Sequence, residues 1–177
     1  MQMKLYRVDS RKFNKGDIIT PNTTFEEKLQ DERLELESML NECKPCEVPD
    51  RKDCLFLFQE LICALSFYSK YRYNGPIYEV IAIQPMFRGD MNKLDNILDI
   101  YRFTEDNDLR RAAVNEYWKE GTHTFYPCYE VLACSAQVNK IIDIDTEKFK
   151  KEMQDTCNIV ECTPTYWSVF NQVYGVV

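Results

Sequence analysis

Glycine is scarce in this chain, with five among 177 residues. Phosphate-binding loops such as G-x-G-x-x-G and G-x-x-x-x-G-K-[ST] need glycines at fixed spacings, because their backbone must approach the phosphates closely. Neither pattern occurs in the sequence. The sequence therefore argues against the common dinucleotide-binding and P-loop classes of enzyme.

Histidine is scarcer still, since His123 is the single one in the chain. This count excludes a histidine-rich metal centre, and any Ser-His-Asp or Cys-His mechanism would have to use His123. No G-x-S-x-G segment or cysteine-protease signature accompanies it, so an exposed loop histidine is the simpler interpretation. Carboxylate chemistry stays open, because the chain has 29 acidic residues.

Long apolar runs are also missing. No window approaches the ~20 apolar residues that a membrane-spanning helix needs, and the N-terminus has no export signal. We therefore expect a cytoplasmic protein without membrane contact, in which the eight cysteines are mostly reduced thiols. The 22 basic and 29 acidic residues give a net charge of -7, which disfavours non-specific nucleic-acid binding.

Two cysteine pairs have close spacing. Cys43-Lys-Pro-Cys46 has the spacing of a zinc or redox motif, and Cys157 with Cys162 would supply a second pair. The two spacers differ and do not form a zinc-ribbon pattern, so we expect no metal and no catalytic role for the cysteines. Three others stand in apolar segments and are expected in the core: Cys54, Cys63 and Cys134.

Hydrophobic periodicity predicts one α+β domain over residues 1–177, with 145–177 as a C-terminal helical extension. Proline and glycine mark several boundaries, and Pro85 is expected to end a strand. The predicted strands are 4–8, 55–58, 77–83, 129–134 and 138–144. The predicted helices are 24–41, 59–71, 91–101, 109–118 and 146–154.

Glu130 is the leading candidate for a catalytic carboxylate. It begins the apolar run Glu130-Val-Leu-Ala-Cys134 beside Tyr129, so a strand start would hold it in a partly buried position. Glu79 stands in a similar Tyr-Glu-Val context, and the local pattern does not choose between them. Alternation in a half-exposed strand accounts for either glutamate without catalysis.

The order of four segments resembles an ADP-ribosyltransferase domain over about residues 4–144: Leu5-Tyr-Arg-Val8, Leu55-Phe-Leu-Phe58 with its helix, Ile77-Tyr-Glu-Val80, and Tyr129-Glu-Val-Leu132 followed by residues 138–142. The resemblance implies a split β-sheet core with peripheral helices. In that superfamily, a first-strand Arg or His holds NAD, a strand and helix form the nicotinamide floor, and a late strand begins with the catalytic Glu.

The resemblance implies a role for each matching residue. Glu130 would stabilise the oxocarbenium character that develops when the nicotinamide–ribose bond of the substrate NAD breaks. Arg7 would pair with NAD phosphate or ribose. Phe58 and Tyr68 would contact NAD, with Tyr68 stacking on nicotinamide, although a core position is the simpler explanation of that tyrosine.

Departures from the pattern narrow the implied activity. The Ser-Thr-Ser motif of the arginine-modifying branch is replaced by Gln59-Glu60 after Phe58, and Cys128 stands where that branch has Glu or Gln. Arginine is therefore not the expected acceptor. Arg88-Gly-Asp-Met-Asn92 and Tyr117-Trp118 are similar to little-characterised bacterial and phage members of the superfamily.

These resemblances imply an enzyme that transfers ADP-ribose from NAD to a protein or nucleic acid, such as a bacterial toxin or phage-defence effector with a cognate antitoxin. A related RNA 2′-phosphotransferase would need a basic cleft, which the net charge of -7 does not indicate. The alternative outside enzymes is a catalytically degenerate domain that acts as a protein-interaction or inhibitory module.

Overall fold

The computed structural model describes residues 3–21, 29, 32–71, 75–119, 121, 124 and 127–142. The described strands are β1 (Lys4–Val8), β2 (Ile18–Ile19), β3 (Leu55–Phe58), β4 (Ile77–Asp90) and β5 (Tyr129–Ile142). The described helices are α1 (Glu32–Cys43), α2 (Leu61–Tyr71), α3 (Asn92–Phe103) and α4 (Asn107–Trp118), with a 3₁₀ turn at Arg51–Asp53. The predicted α+β class is confirmed.

Several predictions fall outside the described residues: His123, the cysteine pair Cys157 and Cys162, the helix at 146–154, and the extension at 145–177. The predicted helix at 24–41 is described only from Glu32, as α1. Within the described part of the chain, no helix is long and apolar enough to cross a bilayer.

The strands form one antiparallel sheet in the order β2-β5-β3-β1-β4, and β4 pairs with β5 as well. Strands β1, β3, β5 and β4 therefore make a closed ring. The long pair β4–β5 runs from Ile77 opposite Ile142 to Asp90 opposite Tyr129. A closed sheet has an inner and an outer face, and successive side chains of a strand point to opposite faces.

The prediction that β4 ends at Pro85 was wrong, because the strand continues to Asp90. Its ladder with β5 shifts register between Pro85 and Phe87, and Gln84 has a positive φ of 52°. Proline lacks a backbone N–H, and such an irregularity lets a strand accept it without breaking a regular ladder. The two strands predicted at 129–134 and 138–144 are the single strand β5.

Three apolar clusters pack against the sheet, one on its inner face and two on its outer face. The inner cluster takes side chains from all five strands, so it fills the ring. Its members are Leu5, Ile19, Leu55, Leu57, Tyr78, Val80, Val131, Ala133, Ala136 and Val138. On the outer face, α1, α3 and α4 cover Leu132 of β5 and Phe87 of β4, while α2 packs over Val8 and Ile77.

Helix α4 begins with a side-chain cap that the predicted start at Leu109 did not include. The Asp106 carboxylate accepts hydrogen bonds from the backbone N–H groups of Asp108 and Leu109. These donors have no partner within the helix, and a capping carboxylate also complements the positive helix N-terminus. The cap fixes the start of the helix that carries Tyr117.

We expect Asp106→Ala to lower the free energy of unfolding by about 1 kcal/mol, because two backbone donors lose their acceptor. Urea unfolding followed by circular dichroism measures this change. Asp106→Ser is the matched control, since serine is also a capping residue, and it should retain most of the stability. Equal losses in both variants would mean that the cap does not stabilise the helix.

Candidate functional site

Glu130 is the second residue of β5 and is far more buried than the sequence predicted, with 1% of its surface exposed. It lies between Phe58 of β3 and Gly89 of β4 in the sheet. Its neighbour Val131 belongs to the inner cluster, so alternation places the Glu130 side chain on the outer face. The carboxylate therefore points into the layer between the sheet and the helices.

A buried guanidinium meets this carboxylate. Arg51 Nη1 lies 3.2 Å from Glu130 Oε1 and donates to Tyr117 Oη at 2.5 Å. Arg51 Nε donates to Glu37 Oε2 at 2.9 Å. Tyr117 in turn donates its O–H to Glu130 Oε1 at 2.5 Å. We call Glu37, Arg51, Tyr117 and Glu130 the Arg51 cluster.

The protonation states within the cluster follow from its charges. Burial acts to lower the pKa of Arg51, but the Glu130 and Glu37 carboxylates, together with the Tyr117 hydroxyl, outweigh it and hold that pKa well above its ordinary value. Burial raises the pKa of Tyr117 well above its ordinary value, against the opposing effect of Arg51. The guanidinium is therefore charged, and the phenol stays protonated as a donor.

Aromatic rings enclose the cluster. The Arg51 guanidinium carbon lies 4.9 Å from the centroid of the Phe56 ring and 5.4 Å from that of Tyr117. The Tyr117 ring packs on Phe87, with centroids 5.3 Å apart. A Cβ at Gly89 would lie 2.9 Å from the Tyr117 ring, so glycine provides the space for this close approach.

This geometry limits what Glu130 does chemically. A carboxylate that stabilises an oxocarbenium ion must lie beside the sugar and direct its charge toward it. Here Arg51 compensates that charge and Glu130 is 1% exposed, so a sugar would reach the carboxylate only after Glu130 separates from Arg51. The arrangement joins the 3₁₀ turn, α1, α4 and β5 through one charged group.

Arg7 lies on the other face of the sheet. Its partner across the ladder is Tyr78, a member of the inner cluster, so the Arg7 side chain starts from the inner face. Its guanidinium donates to the Phe56 carbonyl oxygen at 2.9 Å and to Asp9 Oδ2 at 3.2 Å. The structure therefore does not bring Arg7 and Glu130 to a common face.

Phe58 and Tyr68, the other two predicted NAD contacts, lie in the cluster between α2 and the sheet with 6% and 5% of their surfaces exposed. Phe58 is also the ladder neighbour of Glu130. Tyr68 is thus in the core, as its simpler interpretation predicted. Glu79, the rival of Glu130, is buried and accepts a hydrogen bond from Asn139 Nδ2 at 2.5 Å.

The sequence prediction missed the partners of Glu130. Arg51 falls between the predicted helix 24–41 and the predicted strand 55–58, and Glu37 looks like one of many surface acids of α1. Tyr117 lies in the predicted helix 109–118 and was named with Trp118 in the family resemblance. The one usable signal was the position of Glu37 three residues before Leu40, which places it on the buried side of the helix.

The cysteines follow the core prediction in part. Cys54 and Cys63 are buried, Cys134 is half-buried against Met86, and Cys128 is buried as well. Burial raises the pKa of the Cys54 thiol to about 11. Among the described residues, no group of three or more metal-binding side chains converges.

A surface depression of about 470 Å³ lies beside the Arg51 cluster and is lined by Leu34, Glu37, Ser38, Asn41, Glu42 and Asp50. Three of these six side chains are acidic, and each has a basic partner. Glu37 pairs with Arg51, Glu42 with Arg111 and Asp50 with Lys44, so the lining has no uncompensated cluster of acidic charge.

Comparison with known proteins assigns the chain to no family. No protein-family model matches it, and no curated protein is significantly similar.

We expect Arg51→Ala to lower the free energy of unfolding by about 3–5 kcal/mol, because it leaves two carboxylates buried without their cation. Tyr117→Phe, which removes only the phenolic O–H, should cost about 1–3 kcal/mol. Both changes are measured by urea unfolding at neutral pH.

The matched control is Arg102→Ala. The Arg102 side chain is 50% exposed and has Asp99 and Glu32 as its acidic neighbours, and pairs of this kind contribute about 0–1 kcal/mol. Equal losses for Arg51→Ala and Arg102→Ala would show that the buried cluster is not a main source of stability.

Proposed function

We propose that this chain is a binding module rather than an enzyme: a catalytically degenerate domain that acts as a protein-interaction or inhibitory module. The observation that carries the proposal is the pairing of the Glu130 carboxylate with Arg51 and Tyr117 at 1% exposure. A carboxylate in this setting compensates the buried guanidinium of Arg51, which would be costly to bury without an opposite charge.

A further observation supports this proposal. Arg7 and Glu130, which would flank NAD in an ADP-ribosyltransferase, belong to opposite faces of the sheet.

ADP-ribosyltransferase activity is the second candidate, and the arrangement of the strands favours it. Strand β1 with Arg7 pairs with β3, and β3 pairs with β5, whose second residue is Glu130. The three strands to which the family resemblance gives a role in NAD binding or catalysis are therefore adjacent in the sheet. In this candidate, NAD is the substrate and a protein or nucleic acid the acceptor, and Glu130 must leave Arg51 before it acts.

A melting experiment with NAD separates the two candidates. A ligand that binds only the native state stabilises it by about 2.7 kcal/mol at one hundred times its dissociation constant. For a binding module without an NAD site, we expect millimolar NAD to leave Tm unchanged and chromatography to show no release of nicotinamide.

Glu130→Gln provides the second readout. In the binding module this change should lower the free energy of unfolding by about 1–3 kcal/mol, since the charge that faces Arg51 is lost. Glu79→Gln is the control and should cost less, because its Lys4 partner is 68% exposed and 3.9 Å away.

The proposal fails if NAD raises Tm and the wild-type chain releases nicotinamide, with Glu130→Gln inactive but folded and Glu79→Gln active. That set of results would assign catalysis to Glu130 and make the buried pairing a closed state of the enzyme.

A further inference from the structure

Cys43 and Cys46 lie where α1 ends and differ from the buried cysteines in exposure. Cys43 is the last residue of α1 and is half-buried, and Cys46 is exposed. Cys54, Cys63 and Cys128 are buried. Thiol oxidation depends on access to the sulfur, so among the cysteines that the structure describes a small oxidant reaches Cys46 first.

The two sulfurs have different polar neighbours. Arg111 Nη1 of α4 donates to Cys43 Sγ at 3.3 Å, and Cys46 Sγ donates to Glu47 Oε2 at 3.1 Å. Directly after the helix the chain turns, and the Val48 N–H donates to the Pro45 carbonyl oxygen at 3.1 Å.

We propose that Cys43 and Cys46 form a reversible oxidation site, in which a low-molecular-weight disulfide such as glutathione disulfide links them within the chain. The two-residue spacer is that of Cys-X-X-Cys motifs, which close such disulfides. This inference is independent of the proposed function, since neither cysteine belongs to the Arg51 cluster.

The exchange proceeds in two steps. The Cys46 thiol loses its proton and attacks one sulfur of glutathione disulfide, which forms a mixed disulfide and releases one glutathione thiolate. The Cys43 thiol then loses its proton and attacks the Cys46 sulfur, which releases the second glutathione. The two protons convert the released thiolates to thiols, so two protein thiols are oxidised and one glutathione disulfide is reduced.

The test uses the full chain, reduced first and then equilibrated with mixtures of reduced and oxidised glutathione. After acid quenching and alkylation, mass spectrometry of the peptides locates each oxidised cysteine. We expect the peptide with Cys43 and Cys46 to lose two hydrogen atoms, and dithiothreitol to restore them, while Cys54, Cys63 and Cys128 are alkylated.

Cys46→Ser is the matched variant, because it should abolish the internal disulfide without disturbing the core. The proposal is overturned if Cys43 and Cys46 are both alkylated after incubation with glutathione disulfide alone, which would show that they remained reduced. It is also overturned if a non-reducing gel shows that the disulfide joins two chains. Earlier oxidation of Cys63 with Cys128, which lie close together, would overturn it as well.

Discussion

The burial of the Arg51 guanidinium is the constraint on which the arrangement of this fold depends. A charge removed from water costs several kcal/mol unless opposite charges and hydrogen bonds replace the lost hydration. Here the replacements come from three elements: Glu37 on α1, Tyr117 on α4 and Glu130 on β5. Each helix must therefore sit where its polar group reaches the guanidinium, which ties the helical layer to one position on the sheet.

The closed sheet supplies the second constraint. Because β4 pairs with β1 on one side and β5 on the other, each residue of these strands is assigned to the inside or the outside of a ring. The inside is filled by aliphatic side chains and Tyr78. A charged side chain in the middle of the ring would be unpaired, so Glu130 on the outer face and Arg7 near a strand end are the positions that the closed sheet allows.

These two constraints explain why a strand-start glutamate is ambiguous as a sign of function. Catalysis and structural ion pairing both require a carboxylate that is fixed, shielded and hydrogen-bonded. They differ in whether the charge faces a space that a substrate enters or a cation of the protein itself. For Glu130 the observed partner is Arg51. The proposal of a binding module rests on this pairing.

By itself, the sequence determined the α+β class, the strand Leu55–Phe58 and the positions of α2, α3 and α4 to within a few residues. Periodicity and turn residues are local properties, so no distant contact is needed to recognise them. It also placed Glu130 correctly at the beginning of a strand. It failed at Pro85, where the register shift that admits proline depends on the pairing with β5.

Only the tertiary structure decided what surrounds Glu130. The cation that pairs with Glu130 lies 79 residues earlier in the chain. Nothing in the sequence of residues 44–53 indicates which of their charged side chains will be buried. Arg7 and Glu130 lie on opposite faces of the sheet because the closure of the sheet fixes the register of their strands. A one-residue change in strand register moves a side chain to the other face, and register follows from long-range pairing and packing rather than from local pattern.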